Sequence, residues 1–486
     1  MIAAEWLKFR TVRGWVLATL VALAAVAGLG FTNDSMGSCG VAACTQLLGP
    51  GGEPVTDNFY LVGSRLTGNG TITARVTSLT SDAQMSPHHA EQVDVPWAKA
   101  GLILKANLTQ GSAYVAIMFT GSHGVRMQDD FTGDIAGPAL RAGWLRLTRS
   151  GDAITGYASS NGTDWTRVGT VTLPGLSRTA DGGMFVTSPQ YTQTSMGVAA
   201  ISGTISQSTA TFADLAMSWP TTGLTGTDVG GQAAGPAAGP ANGYTGSSGQ
   251  YTITGSGDIA PATDGPSGFG ATLSDTLVGT FIALIILVVV GAMFVTAEYR
   301  RGLIGVTFAA CPRRGRVLAA KAAVVAMVAF GAGLIGAAIV VPIGLRMMHE
   351  HGILLAPIST LTQIRVIVGT AAVLALCAVL AVAIGVMARR AVAAISAVVA
   401  LIVLPYLLSV TIPVMPLGVA DWLMRITPAA AFAVQGTLVQ YPQVNEVYAP
   451  AYGYWPLPAW GGFAVLCAWT GAALIGAWIL VNRRDA

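Results

Sequence analysis

Few residues in this sequence are of types that do chemistry, so each group's spacing can be weighed in turn. The 486 residues include four lysines, Lys8, Lys99, Lys105 and Lys321, and none follows a Gly-x-x-x-x-Gly pattern. A loop that cradles nucleotide phosphates is therefore not expected. Asp129, Asp130 and Asp134 in QDDFTGD could ligate Ca²⁺ through oxygen or form a solvated acidic turn. His88 and His89 raise a metal reading against that of an exposed loop pair. His349 and His351 flank Glu350, but residues two apart lie on different faces of a helix, unlike a helical zinc-hydrolase pair. No metal site and no catalytic residue is expected. Cys39 and Cys44 follow the first apolar run, where an oxidising exterior lets a disulfide persist. They are expected to bond to each other, since two thiols without a further Cys or His make a poor metal site.

The densest charge lies between Phe294 and Lys321, where Glu298 stands against Arg300, Arg301, Arg313, Arg314, Arg316 and Lys321. Apolar stretches long enough to cross a bilayer flank it, and a short basic loop in that setting is expected on the cytoplasmic side. Within the loop, Gly302 is followed by Leu303, Ile304, Val306 and Phe308. That spacing suits one face of a short helix, which Cys311 and Pro312 end.

The elements that must position these residues are membrane helices. The chain is 52% hydrophobic and 10% charged, far from the roughly 25% charge of an average soluble domain. Six spans are expected, at about 14–31, 274–297, 319–345, 363–388, 391–412 and 459–481. Pro405 should kink the fifth. Ahead of the first, MIAAEWLKFRTVR carries Glu5, Trp6, Lys8 and Arg10, as an interfacial elbow helix would, with Trp6 at headgroup depth; a signal peptide is the other reading. Thirteen of the 26 bases fall at expected cytoplasmic positions against three acids. This bias reads as orientation by the positive-inside rule rather than nucleic-acid binding.

Between the first two spans the texture changes. From 32 to 220, short apolar runs alternate with Gly, Asn, Asp and Ser, as strands and turns require. Thr71–Thr77 puts Ile72, Ala74 and Val76 on one face. Further strands are expected at Trp97–Lys105, Tyr114–Thr120, Trp144–Thr148, Ile154–Ser159, Trp165–Thr172, Met184–Thr187 and Ala210–Trp219, with a hairpin turn at Asn161-Gly162. Residues 221–270 hold 14 Gly and 4 Pro and no Lys or Arg. That composition reads as a linker, with one short alternating strand at Gln250–Ile259. The fold class is thus α+β multidomain: a six-span helical membrane domain with a large extracellular all-β sandwich inserted between spans one and two.

The order Ala-Glu-Tyr-Arg-Arg-Gly at 297–302, a short apolar helix, Pro-Arg-Arg at 312–314 and Lys321 opening the next span resembles the cytoplasmic loop of type 2 ABC permeases. The resemblance covers 1–31 and 271–486. It implies that the loop, 298–312, is a coupling helix docking on a separate ATPase through Glu298, Tyr299, Arg300, Arg301, Gly302, Leu303, Val306, Thr307, Arg313 and Arg314. The family commonly has Thr where Leu303 stands. Glu298 and Arg300 or Arg301 would hold the loop to the elbow or to the ATPase. The family also implies a re-entrant hairpin at 419–438, where Asp421 and Arg425 interrupt the apolar run.

A second resemblance, to concanavalin-like jelly rolls, rests on Asp57-Asn58-Phe59, Trp97 to Leu102, Trp144 to Leu147 and Ser159 to Trp165. It leaves catalysis, sugar binding and scaffolding open, and no carboxylate pair of the glycosidase kind stands on one strand. Together the resemblances imply a bacterial plasma-membrane permease with both termini cytoplasmic, exporting a hydrophobic or amphipathic substrate. Its partners would be two copies of a cytosolic ATPase carrying ATP and Mg²⁺, a second permease chain forming a homodimer, membrane lipid, and a glycan or exported molecule at the outer domain. No cofactor belongs to this chain. The other reading is a membrane-anchored glycan-binding or sensing protein that works through its sandwich.

Overall fold

The computed structural model describes residues 1–29, 47–86, 89–174, 176–194, 201–219, 223–231, 241–247, 249–263, 272–311, 313–350, 358–410, 415–444, 446 and 448–483. Cys39, Cys44 and His88 lie outside them. Among the described residues, five helices are long and apolar enough to cross a membrane, and residues from about 55 to 260 form a β-sandwich.

The sandwich has two main antiparallel sheets. One runs Thr225–Val229, Phe59–Thr67, Thr179–Thr187, Lys99–Lys105, Tyr114–Thr120, Val125–Asp129, Gly133–Ala136. The other runs Thr166–Thr172, Ala153–Ser159, Gly143–Ser150, Gly70–Ser86, Ser206–Met217, Gln250–Ser256, Gly243–Ser247, with His89–Val93 on Gly70–Ser86. The period of two puts Ile72, Ala74 and Val76 inward, where they meet Val62, Leu102, Leu104, Ile117 and Phe119 of the facing sheet. This interlayer core is the main apolar burial of the sandwich.

The Lys99–Lys105 strand is buried along both faces. Its second face joins Phe59, Leu61, Tyr114, Met118, Phe131 and Phe185 in another apolar cluster. Val55–Asp57 pairs with Ile259–Pro261, and Val55 and Ile259 belong to that cluster. Buried lysines survive here because each meets an acid: Lys99 Nζ lies 2.7 Å from Asp258, and Lys105 Nζ 2.7 Å from Asp57. An unpaired charge at such depth would be far costlier.

Residues 221–270 depart from the expected linker. They supply four strands, Thr225–Val229, Gly243–Ser247, Gln250–Ser256 and Ile259–Pro261, and the expected strand near 250 is one of them. Glycine weakens an isolated strand, yet these segments add to ladders already built, Gln250–Ser256 on Ser206–Met217 and Thr225–Val229 on Phe59–Thr67. Partner strands outweigh composition.

The helices are α1 (Ile2–Thr11), α2 (Arg13–Leu29), α3 (Gly279–Arg300), α4 (Leu303–Ala310), α5 (Arg314–Glu350), α6 (Thr360–Ala388), α7 (Ala391–Val410), α8 (Leu417–Ile426) and α9 (Ala459–Arg483). α1 and α2 meet at 84°. α5 has 37 residues, about 55 Å at 1.5 Å per residue. It therefore extends at both ends beyond the expected 319–345, because neither Arg314 nor Arg346 stops a helix. α8 ends before Pro428, which has no N–H to continue the ladder; its last carbonyl bond is at Leu423, which accepts from both the amide and the hydroxyl of Thr427, at 3.2 and 2.7 Å. The chain turns by 96° into a buried 3₁₀ segment, Pro428–Gln435. Small residues set the helix spacing. A Cβ on Gly279 would strike the Ala25 carbonyl, and one on Gly462 the Ala430 carbonyl, so these backbones touch as small-residue contacts between membrane helices do.

Candidate functional site

Four charges join the amino-terminal helix to the ends of α3 and α5. Lys321 Nζ donates to Glu5 Oε2 at 2.8 Å and to Glu298 Oε1 at 2.6 Å. Lys8 Nζ donates to Glu5 Oε1 at 3.0 Å and to Glu298 Oε1 at 3.1 Å. Two acids face two bases, so the cluster is neutral and can be buried: Lys321 is 2% exposed and Glu5 5%. The ring of Phe294 lies 4.9 Å from the Lys321 ammonium and adds a cation–π contact. Phe9 and Trp15 close the cluster's apolar side, both packing on Phe294.

The loop held there runs from α3 into α4. Arg301 caps α3, and Gly302 turns the chain with φ 68°, a region open to glycine at little cost. α4 then buries Ile304 (6% exposed) and packs Phe308 on the helical core. Leu303 and Val306 point away, at 48% and 68% exposure. An eight-residue helix with an apolar outer face is too short to be stable alone. It is held by its buried face, while the Thr307 hydroxyl bonds the Leu303 carbonyl.

The sequence-expected residues separate into three groups. Glu298 and the elbow's Glu5 and Lys8 meet in the charge cluster; Trp6 is 43% exposed and Arg10 is exposed. Arg300, Arg301 and Arg313 are exposed and make no ion pair with the elbow among the described residues. The tie between loop and elbow thus runs through Glu298 and not through Arg300 or Arg301. Arg314 turns back, its Nη1 donating to the Val481 carbonyl at 3.0 Å and its guanidinium lying over Phe308. Tyr299 carries the guanidinium of Arg389 5.4 Å from its ring centroid.

Sequence reasoning missed two of these roles. Lys321 was visible only as a base near a span end, and Arg389 only as the end of a span. Neither partner is signalled locally.

In the sandwich, Asp134 accepts from Arg126 and from Gln128 Nε2, and Asp130 accepts from the Tyr114 amide at 3.1 Å. These acids therefore serve the β-turn. Among the described residues no three His, Cys, Asp or Glu side chains are grouped to hold a metal ion. Glu350 pairs with Arg346 in an exposed i,i+4 bridge of 2.9 Å. At the other end of the helical part, Gln443 is 3% exposed and donates to the carbonyls of Phe131 and Thr132 at 3.4 and 3.2 Å. This seats a sandwich turn on the loop before α9.

Compared with known proteins, the sequence matches no family model and no curated protein. Among solved structures it is similar to one described as a functionally unknown protein from Saccharomyces cerevisiae, at 16% identity and a TM-score of 0.22 over 33% of this chain and 75% of the other. It is also similar to SCP-B, described as a member of the Eqolisin family of peptidases in a complex with the tripeptide Ala-Ile-His, at 10% identity and a TM-score of 0.23 over 41% of this chain and 98% of the other. At these scores neither likeness carries an argument about this chain.

Proposed function

We propose that the chain is the membrane subunit of an exporter driven by a separate cytosolic ATPase, with α4 as the helix that docks on it. The observation that carries this reading is α4 itself. It is a short helix between two candidate spans, anchored by Ile304 and Phe308, with Leu303 and Val306 exposed amid basic residues. Apolar side chains at that spacing fit a groove in a partner. α2, α3, α5, α6, α7 and α9 would be the six spans, and α8 with Pro428–Gln435 the re-entrant hairpin. The cluster of Glu5, Lys8, Glu298 and Lys321 would pass a push on α4 to the elbow, to the end of α3 and to the first turns of α5 at once. The sandwich, seated through Gln443, would cap the exit path. Two chains, each with its ATPase, would enclose that path.

Mild solubilisation and a tagged pull-down test the reading. The wild-type chain is expected to retain an ATPase, and Val306→Asp to weaken that association about tenfold or more, as loss of an interface anchor does. An ATPase retained equally by the variant, or none retained by either, would count against α4 as the docking helix.

A further inference from the structure

Of the two lysines buried in the Lys99–Lys105 strand, Lys105 sits where an amine can react. It is 1% exposed and its partner Asp57 0%, with Nζ and Oδ2 2.7 Å apart. The rings of Tyr114 and Phe131 each lie 5.6 Å from the ammonium. Burial pushes the Lys105 pKa below its ordinary value, against the opposing charges of Asp57 and Asp130. A lysine desolvated in this way is activated as a nucleophile, because more of it is the free amine.

Hydrogen bonds are unevenly shared around the pair. Asp57 Oδ2 accepts from Lys105 Nζ and, at 2.8 Å, from the Gly111 amide, while Nζ also donates to the Ser112 carbonyl at 2.8 Å. Asp57 Oδ1 is buried with no hydrogen-bond partner among the described residues, and so is the Tyr114 hydroxyl. Burial, and next the charge of Asp57, raise the Tyr114 pKa well above its ordinary value, which sets the hydroxyl near that carboxyl. A buried carboxylate oxygen without a partner is costly, and the ion pair alone does not relieve it.

We infer that Lys105 and Asp57 condense into an amide that joins the first strand of the sandwich, Val55–Asp57, to the Lys99–Lys105 strand. The ammonium gives one proton to the carboxylate, leaving an amine and a carboxylic acid. Nζ attacks Cγ and the C–N bond forms. A second Nζ proton passes to the Oδ1 hydroxyl by way of the Tyr114 hydroxyl, the Cγ–Oδ1 bond breaks, and water leaves. The Gly111 amide holds Oδ2 first as the oxyanion and then as the amide carbonyl, and the last N–H keeps the Ser112 carbonyl. The product thus retains these partners while losing the orphaned oxygen and both buried charges. Holding the two groups in place supplies an effective concentration of ~10⁵–10⁸ M, which offsets the cost of the condensation. Val55–Asp57 pairs with Ile259–Pro261, so the bond fastens the strands by which the chain enters and leaves the sandwich. It is independent of the reading of α4.

For the test, the full chain is purified in detergent, denatured and reduced before its mass is read intact, and protease fragments locate the linkage. The wild type is expected to be lighter than its sequence by one water, with a branched fragment joining Asp57 to Lys105. Lys105→Arg keeps a cation beside Asp57 but offers no primary amine, so it should carry the full mass and lose the branched fragment. A wild-type chain of full mass, with Asp57 and Lys105 in separate linear fragments, overturns the bond. So does a deficit of one water that persists in Lys105→Arg, which would place the loss in a backbone succinimide at Asp57-Asn58. The wild-type fragments decide the matter even where the variant fails to fold.

Discussion

Lys321 shows how one side chain can be both buried and charged. Its ammonium is shared between Glu5, 316 residues away, and Glu298, 23 away, so truncation leaves two carboxylates with only Lys8. Lys321→Met should cost about 3–5 kcal/mol, as removal of one member of a buried pair does. The double variant Lys321→Met with Glu5→Gln should recover part of that loss. Thermal unfolding in detergent checks both, and equal stability of Lys321→Met and wild type would contradict the cluster's role. Of the four members, Glu298 was legible as the one acid among bases; Lys321's role was not, because Glu5, the partner that ties it to the elbow, is 316 residues away. In the sandwich, Asp129 and Asp130 have pKa values raised by burial, Asp129 further by the neighbouring Asp130 and Asp134. A raised carboxyl favours the protonated form in the fold. Its contribution is therefore fullest below the ordinary value of 3.8 and is lost as pH rises through the raised one. Asp129→Asn should flatten that decline and leave the fold more stable than wild type at pH 7, measured by unfolding at a series of pH values.

Elements followed the sequence where one period ruled, as at Thr71–Thr77 within the strand Gly70–Ser86, or where an apolar run was short and bounded, as at the fully buried strand Tyr114–Thr120. The turn between α1 and α2 falls at Val12, one residue before Arg13, the last charge ahead of the apolar run. Composition misled for 221–270, because Gly-rich segments gain their ladder from strands the local sequence does not contain. The ends of α5 were missed for a related reason: apolar length marks where a membrane could lie and not where a helix stops. Helix contacts depend on particular glycines. Gly462→Val, aimed at the Ala430 carbonyl, should destabilise by about 1–3 kcal/mol as overpacking does. Gly471→Val in the same helix meets nothing within 4 Å and should cost much less. Equal unfolding midpoints for the two would show that the α9 contact with Pro428–Gln435 is loose.

Across the whole molecule, two ends are tied to the helices by few polar contacts. One is the charge cluster between elbow and α4 loop; the other is Gln443 under the sandwich turn at Phe131 and Thr132. In the proposed exporter, ATPase closure acts on the first and the second keeps the cap aligned with the spans. The central claim is that a cytosolic ATPase covers Leu303 and Val306 when the chain sits in its native membrane. Photo-crosslinking in intact cells addresses it most directly, with the reactive group placed at Val306 and, for comparison, at Ile335, a span residue 52% exposed. The account predicts a nucleotide-binding protein crosslinked from Val306 and lipid or a second chain from Ile335. Crosslinks from Val306 to lipid alone would contradict it and leave the sandwich as the working part.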